Sequence, residues 1–260
     1  MSDVGPVALT GGGEHLAGCE LIERRLLELT GVSRPRVAVI PTAAARRQMP
    51  KTAALARNYW GRLGAAVSIA IPECDIDRAL DVVGQADIIV LPGGHPNKLV
   101  ASLGASPVTD LIIERWRQGV AISGSSAGAM CLFEWRIKLY PPNPLRPIPG
   151  LGLLDGYVSA PHFDRFRGQR WAHSVLRWLG GAGVIGLDEA TALVGRSGAL
   201  EVVGRGGVTV VDGDGTANYP SGEWAPVDLL RGSKVRLGHA SAIRRVGEDM
   251  PHLTPVAAQV

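Results

Sequence analysis

Short, unbroken apolar runs alternate along the first half of the chain with segments of helical periodicity. Val7-Ala8-Leu9-Thr10 reads as a buried strand ending in Gly11-Gly12-Gly13. Leu16, Leu21, Ile22, Leu26 and Leu29 then recur at the spacing of one helix face, closed by Gly31 as a C-cap. Arg36 to Pro41 predicts a second strand, Thr52 to Leu63 a helix ending at Gly64, and Ala66 to Ile71 a third strand. Asp75 opens a short helix, and Asp87 to Leu91 is a fourth strand running into Pro92-Gly93-Gly94. Pro107 to Gln118 is helical, and a fifth strand begins at Val120. Strands without polar alternation are buried on both faces. Separated by helices, they predict an α/β fold with a mostly parallel sheet sandwiched by helices.

The pattern changes after residue 140. Prolines at 141, 142, 144, 147 and 149 are too dense for a helix or a central strand and predict an ordered loop or flap. Tyr157 to Ala160 resumes a strand and delivers Pro161-His162-Phe163, followed by a helix from about Gly168 to Leu179. Val184 to Glu189 is another strand. Ala192 to Val194, Leu200 to Val203 and Val208 to Val211 predict an antiparallel hairpin series as a C-terminal extension of the sheet. From Tyr219 to Val260 the pattern is weak, so residues 220–260 read as an extension of unclear role on a single domain spanning 1–260.

Composition narrows the function classes. The 260 residues suffice for a full core, and 46% hydrophobic with 20% charged residues is globular rather than disordered. No apolar stretch approaches bilayer-spanning length and the N-terminus lacks a signal layout, which predicts a cytoplasmic protein without a membrane partner. A net charge of +3, with no basic run and no interleaved aromatics, argues against nucleic acid. Cys19, Cys74 and Cys131 are widely spaced and fit neither a metal site nor a disulfide pair; neither metal nor cofactor is expected.

The densest chemical signal is Gly124-Ser125-Ser126-Ala127-Gly128 after the fifth strand. Gly-x-Ser-x-Gly between a strand and a helix is how a strained elbow lifts a serine hydroxyl above a sheet edge. Ser126 at the tip must take an unfavourable backbone conformation, so Gly124 and Gly128 are small to avoid collision with the opposite arm of the turn. Such a turn also occurs without chemistry. However, Gly11 to Gly13, Gly93-Gly94 and Ser126 all fall at carboxyl ends of predicted strands, where sites collect in open parallel sheets. A serine nucleophile needs a base and the base an orienting acceptor. His162, at the end of a predicted strand beside Phe163, is the best-placed histidine; Asp164, Asp188 and Glu189 compete as the acid. Glu14 and His95 stand next to glycine loops, where either could cap or brace the turn.

Together, Gly124-Ser125-Ser126-Ala127-Gly128-Ala129, Pro161-His162-Phe163 and Gly186-Leu187-Asp188-Glu189-Ala190-Thr191-Ala192-Leu193 resemble peptidase family S51, the peptidase E and cyanophycinase group. The resemblance covers about residues 5–215. It implies a class I glutamine amidotransferase-like, flavodoxin-like three-layer fold with serine in place of cysteine. It also implies hydrolysis of an aspartyl or β-aspartyl peptide bond through an acyl-enzyme, with Ser126, His162 and Glu189 as catalytic residues. The N–H groups of Gly94 and Ala127 would form the oxyanion hole. Arg165, Arg167 and Arg170 match the family's arginine cluster one residue early and suit a substrate carboxylate, with His95 beside them. Homodimers are common in the family. Two departures weaken a cyanophycin substrate: Gly93-Gly94-His95-Pro96 replaces a Gly-Gly-Asp-Gln pattern, and Ala160-Pro161 replaces Asp-Gln before the histidine.

These readings predict a serine peptidase or amide hydrolase for small acidic peptides. Two alternatives keep the fold: an acyltransferase or pathway-specific amide hydrolase using the same triad, and a non-catalytic binding protein. A glutaminase fits worse, because Cys131 lies outside the elbow.

Overall fold

The computed structural model describes residues 4–15, 18–104, 106–139, 145–165, 169–176 and 179–230. In chain order the elements are β1 (Val7–Thr10), α1 (Glu20–Thr30), β2 (Arg36–Val39), α2 (Met49–Arg62), β3 (Ala66–Ile69), α3 (Ile76–Gly84), β4 (Ile88–Leu91), α4 (Pro96–Leu103), α5 (Pro107–Arg117), β5 (Ala121–Ser125) and α6 (Ala127–Leu132). There follow β6 (Trp135–Ile137), β7 (Pro147–Pro149), β8 (Tyr157–Pro161), α7 (Gln169–Leu176), β9 (Gly183–Leu187), β10 (Thr191–Arg196), β11 (Ala199–Gly204), β12 (Gly207–Asp212), β13 (Gly215–Pro220) and β14 (Trp224–Ala225).

The main sheet has eight strands in the order β14-β11-β10-β1-β5-β4-β2-β3. Its β1, β5, β4, β2 and β3 pair in parallel, as the unbroken apolar runs predict, while β10, β11 and β14 add antiparallel pairings beyond β1. The two-residue strand period divides the core between the faces. Ala8, Val37, Val39, Ile88, Val90 and Ala121 join Ile22 and Leu26 of α1 and Tyr59 and Trp60 of α2. The intervening Leu9, Ala38, Ile89, Leu91 and Ile122 belong instead with Leu99 of α4, Ile112 and Trp116 of α5 and Leu132 of α6.

A second sheet, β13-β12-β9-β8, has a parallel β8–β9 pair and antiparallel β9–β12 and β12–β13 pairs. Ile185, Leu187, Val208 and Val210 turn one of its faces into the main core. Val158, Val184 and Val211 pack on the other face with Ala172 and Val175 of α7.

Several sequence expectations hold in detail. Gly31 caps α1 at φ 67°, and Asp75 caps α3 through Oδ1, which accepts from Arg78 N at 3.0 Å. Others need correction. The terminal hairpin series is shared between sheets, β10 and β11 extending the main one and β12 the second. β3 is a half-exposed edge strand rather than a buried one, and Leu21 of the α1 apolar series is 62% exposed. Helix α4 follows the Gly93-Gly94 loop with His95 as its N-cap, and is absent from the periodicity reading because Pro96 and Asn97 open it. Within the proline-rich stretch, Pro147–Pro149 pairs as a two-stranded ribbon with β6, and residues 140–144 lie outside the described residues. Residues 231–260 also lie outside them.

One buried charge site lies between α1 and α2. Glu23 is 5% exposed and its Oε2 accepts from the Tyr59 hydroxyl at 2.9 Å. Burial pushes the Glu23 carboxyl up from 4.5 to about 7, against the smaller opposing effect of the Tyr59 bond. The folded protein thus holds this proton over a pH range where the unfolded chain has released it. Stability from Glu23 is therefore greatest at low pH, declines as pH rises from about 4.5 to 7, and is level above. Glu23→Gln is expected to flatten this decline, gaining on the order of 3 kcal/mol over the wild type between pH 4 and 8 as an upper figure. Urea unfolding at several pH values checks it, and parallel curves for the two proteins would refute it.

Candidate active site

Ser126 follows β5 directly and has φ 48° and ψ −108°, a backbone conformation that L-residues rarely adopt. Its amide donates to Thr10 O of the neighbouring β1 at 2.9 Å. The two glycines of the elbow are small for different reasons. A Cβ on Gly124 would lie 2.8 Å from Ala129 N and Gly128 C, the opposite arm of the turn as expected. A Cβ on Gly128 would instead lie 2.0 Å from Leu91 O, so the neighbouring strand β4 imposes that glycine. Ala127 begins α6 and its N–H is one of the unbonded donors of a helix start. The Gly94 amide, at the carboxyl end of β4, likewise makes no hydrogen bond to the described residues.

His162 and Glu189 arrive on the second sheet. His162 follows β8, Glu189 lies just beyond β9, and these two strands are parallel neighbours. His162 Nε2 stands 3.0 Å from Ser126 Oγ. His162 Nδ1 stands 4.0 Å from Glu189 Oε2, on the same side as an acceptor should be but beyond hydrogen-bond length. The competing carboxylates are otherwise engaged: Asp164 Oδ1 accepts from Glu189 N at 3.1 Å, and Asp188 Oδ2 from Gly207 N at 2.9 Å.

The glycine loop after β1 joins the two sheets. Gly11 O accepts from His162 N, Gly12 O from Ala190 N, and Gly11 N donates to Thr191 O, each at 2.9 Å. His162 and Ala190 both have φ 54°, so backbone strain gathers on the second sheet's side of the site as well. Gly12, at φ 127°, is required twice over, because a Cβ there would lie 2.1 Å from Cε1 of the His162 imidazole.

The predicted recognition residues fare differently. The Arg165 guanidinium, 64% exposed, is ion-paired with Glu189 Oε2. That oxygen is buried and accepts no aligned hydrogen bond from the described residues. Arg167 and the Arg170 side chain lie outside the described residues. His95 is the N-cap of α4, its Nδ1 accepting from Asn97 N at 3.2 Å. Burial and then the charges of Lys98 and Arg136 lower its pKa, so His95 is a neutral cap.

Glu14, for which the sequence offered no more than proximity to a glycine loop, enters the site fully. Its Oε1 accepts from Gly93 N and its Oε2 from Ser125 Oγ, both at 2.7 Å. Two of the three thiols are inert by burial. Cys19 and Cys131 are buried, and burial pushes both thiols up to about 12. Among the described residues no group of three His, Cys, Asp or Glu side chains converges as a metal site would require.

A strained strand-to-helix turn that presents a serine hydroxyl to an imidazole, at the carboxyl ends of a parallel sheet, is the arrangement of a serine hydrolase. The sequence pattern of peptidase family S51 matches residues 7–203, and the chain belongs to that family of serine-type peptidases. It is 26% identical over 179 residues to the uncharacterized peptidase YgaJ of Bacillus subtilis (strain 168), covering 65% of this chain and 73% of that one. The crystal structure of a peptidase from an acI-B1 Actinobacterium is 27% identical, covers 86% of this chain and 97% of its own, and superposes with a TM-score of 0.74. A structure from Listeria monocytogenes EGD-e, named as a peptidase E protein, shares the fold at 15% identity and a TM-score of 0.54, covering 84% of this chain and 98% of its own.

Gly12→Ala tests the packing of the imidazole. The added methyl is expected to displace His162 from Ser126 and slow labelling by a fluorophosphonate at least about 100-fold, because displacements near 1 Å cost that much. Near-UV circular dichroism should remain native, and labelling at the wild-type rate would show that the ring tolerates the methyl.

Proposed function

We propose that this peptidase hydrolyses amide bonds of aspartyl or β-aspartyl residues in small acidic peptides, using Ser126, His162 and Glu189. The observation that carries the reading is the 3.0 Å approach of Ser126 Oγ to His162 Nε2 at the strained elbow. Ser126 Oγ attacks the scissile carbonyl while its proton passes to His162 Nε2. The negative charge that develops on the carbonyl oxygen meets the N–H groups of Ala127 and Gly94, held by the fold before substrate arrives. His162 then gives the proton to the departing amine, leaving an ester on Ser126. Water, deprotonated by His162, cleaves that ester and restores both groups.

Glu189 holds the imidazole in the tautomer that leaves Nε2 free to accept. Closing the 4.0 Å gap to Nδ1 by about 1 Å makes that hydrogen bond. The substrate class rests on charge. Arg165, Arg167 and Arg170 follow the histidine in sequence, and guanidinium binds carboxylate in two parallel hydrogen bonds. His95, the neutral cap of α4, adjoins Gly94 in the chain and would contribute to recognition from that side. The protein would work as a homodimer in the cytoplasm, on a substrate small enough to enter a site between two sheets.

Turnover of α-aspartyl dipeptides, β-aspartyl dipeptides including β-Asp-Arg, and neutral controls tests the proposal directly. One aspartyl class is expected to be cleaved, with Ser126→Ala lowering kcat at least about 10⁴-fold. Unchanged hydrolysis by Ser126→Ala would overturn the mechanism. Silence across the panel, with Ser126 still labelled by a serine probe, would overturn the substrate class and favour acyl transfer to an amine, detectable with competing amine acceptors.

A further inference from the structure

We propose that Glu14 is a positioning residue for the oxyanion hole, fixing the Gly93–Gly94 peptide relative to Ser126; the inference rests on the hydrolase mechanism above. Glu14 lies in the loop after β1, and its two carboxylate oxygens reach two other strand ends. Oε1 accepts from Gly93 N, in the loop after β4, and Oε2 from Ser125 Oγ, the last residue of β5 before the nucleophile. Both contacts are 2.7 Å, the short length of hydrogen bonds to a charged acceptor. The carboxylate thereby spans the gap between the oxyanion loop and the elbow.

The contacts of the loop explain why this matters for chemistry. With its N–H given to Glu14, Gly93 cannot offer that donor to a substrate oxygen, and the next amide, Gly94 N–H, is the one left without a partner among the described residues. From the other side the loop rests on Ala43, whose carbonyl accepts from His95 N at 2.7 Å and would meet a Cβ on Gly94 at 2.4 Å. Gly94 is therefore clamped between a backbone anchor at Ala43 and a side-chain anchor at Glu14. Packing is tight on the Glu14 side too, since a Cβ on Gly93 would lie 2.6 Å from Glu14 Oε1 and 3.3 Å from Ser126 Cβ. Both hydrogen bonds of Glu14 go to groups that hold the loop and the elbow, Gly93 N–H and Ser125 Oγ, and neither goes to a reacting group. The effect of Glu14 passes through the amide it aims.

A residue that only stabilised the fold would lower the melting temperature and leave kcat of the folded enzyme unchanged. A positioning residue changes kcat and spares KM. Glu14→Asp keeps the charge but is one methylene too short to span both partners, and Glu14→Ala removes both bonds. Each is expected to lower kcat about 30- to 300-fold with KM within about threefold, and to slow fluorophosphonate labelling by a similar factor. Glu14→Gln, which retains an acceptor for Gly93 N–H, is expected to stay within about tenfold of the wild type. Ser125→Ala, which leaves the Gly93 bond intact, should do the same. Should Glu14→Ala fail to fold, the aspartate and glutamine variants carry the comparison alone. Folded Glu14→Asp with wild-type kcat and labelling would overturn this inference while leaving the hydrolase reading intact, as would a glutamine variant as impaired as the aspartate. A wild-type protein that neither turns over nor labels at Ser126 would overturn both.

Discussion

The contact between the Ser126 hydroxyl and the His162 imidazole joins groups carried by different sheets, and the rest of the structure is arranged to make that meeting possible. The hydroxyl is raised by the main sheet, at the end of β5, and the imidazole is delivered by the second sheet, at the end of β8. Apolar packing is non-directional and does not by itself set their separation. Backbone hydrogen bonds between the loop after β1 and the segments around His162 and Ala190 fix it much more narrowly. That seam accounts for Gly11 and Gly12, where a side chain would fill the space that the carbonyls and the imidazole occupy; Gly13 owes its place to a φ of 77° instead.

Four of the five parallel strands, β1, β2, β4 and β5, were legible because strands buried on both faces have no polar alternation to confuse with anything else; β3, on the edge, is the half-exposed exception. The elbow was legible for a similar reason, since its glycines answer to local sterics. Gly128 shows the limit of that reasoning: the atom it avoids is Leu91 O, which only the packing of β4 beside β5 reveals. The second sheet was hidden because Ala192 to Val194, Leu200 to Val203 and Val208 to Val211 have the same texture, and nothing in a strand's own residues says which sheet it will join. The carboxylate beside His162 was ambiguous in sequence because Asp164, Asp188 and Glu189 are chemically alike; the amides that engage the two aspartates are remote in the chain. Glu14 was opaque for the same reason, its partners Gly93 and Ser125 lying 79 and 111 residues away.

The charges around Glu189 form a balance of their own. Its buried Oε2 is paired with Arg165, while His162 stands just out of hydrogen-bonding reach. A buried carboxylate oxygen is costly unless it is paired, and the Arg165 guanidinium supplies the charge partner here. The guanidinium and the imidazole thus approach the same buried oxygen, the first in contact and the second at 4.0 Å. The guanidinium itself is exposed to solvent, so the pair is not locked by burial.

Because β8 and β9 are parallel neighbours, His162 and Glu189 sit side by side at the end of one ladder, whereas Ser126 belongs to another. The spacing of imidazole and carboxylate is therefore a matter of register within one ladder, while the meeting of hydroxyl and imidazole is a matter of the hydrogen-bonded seam between two.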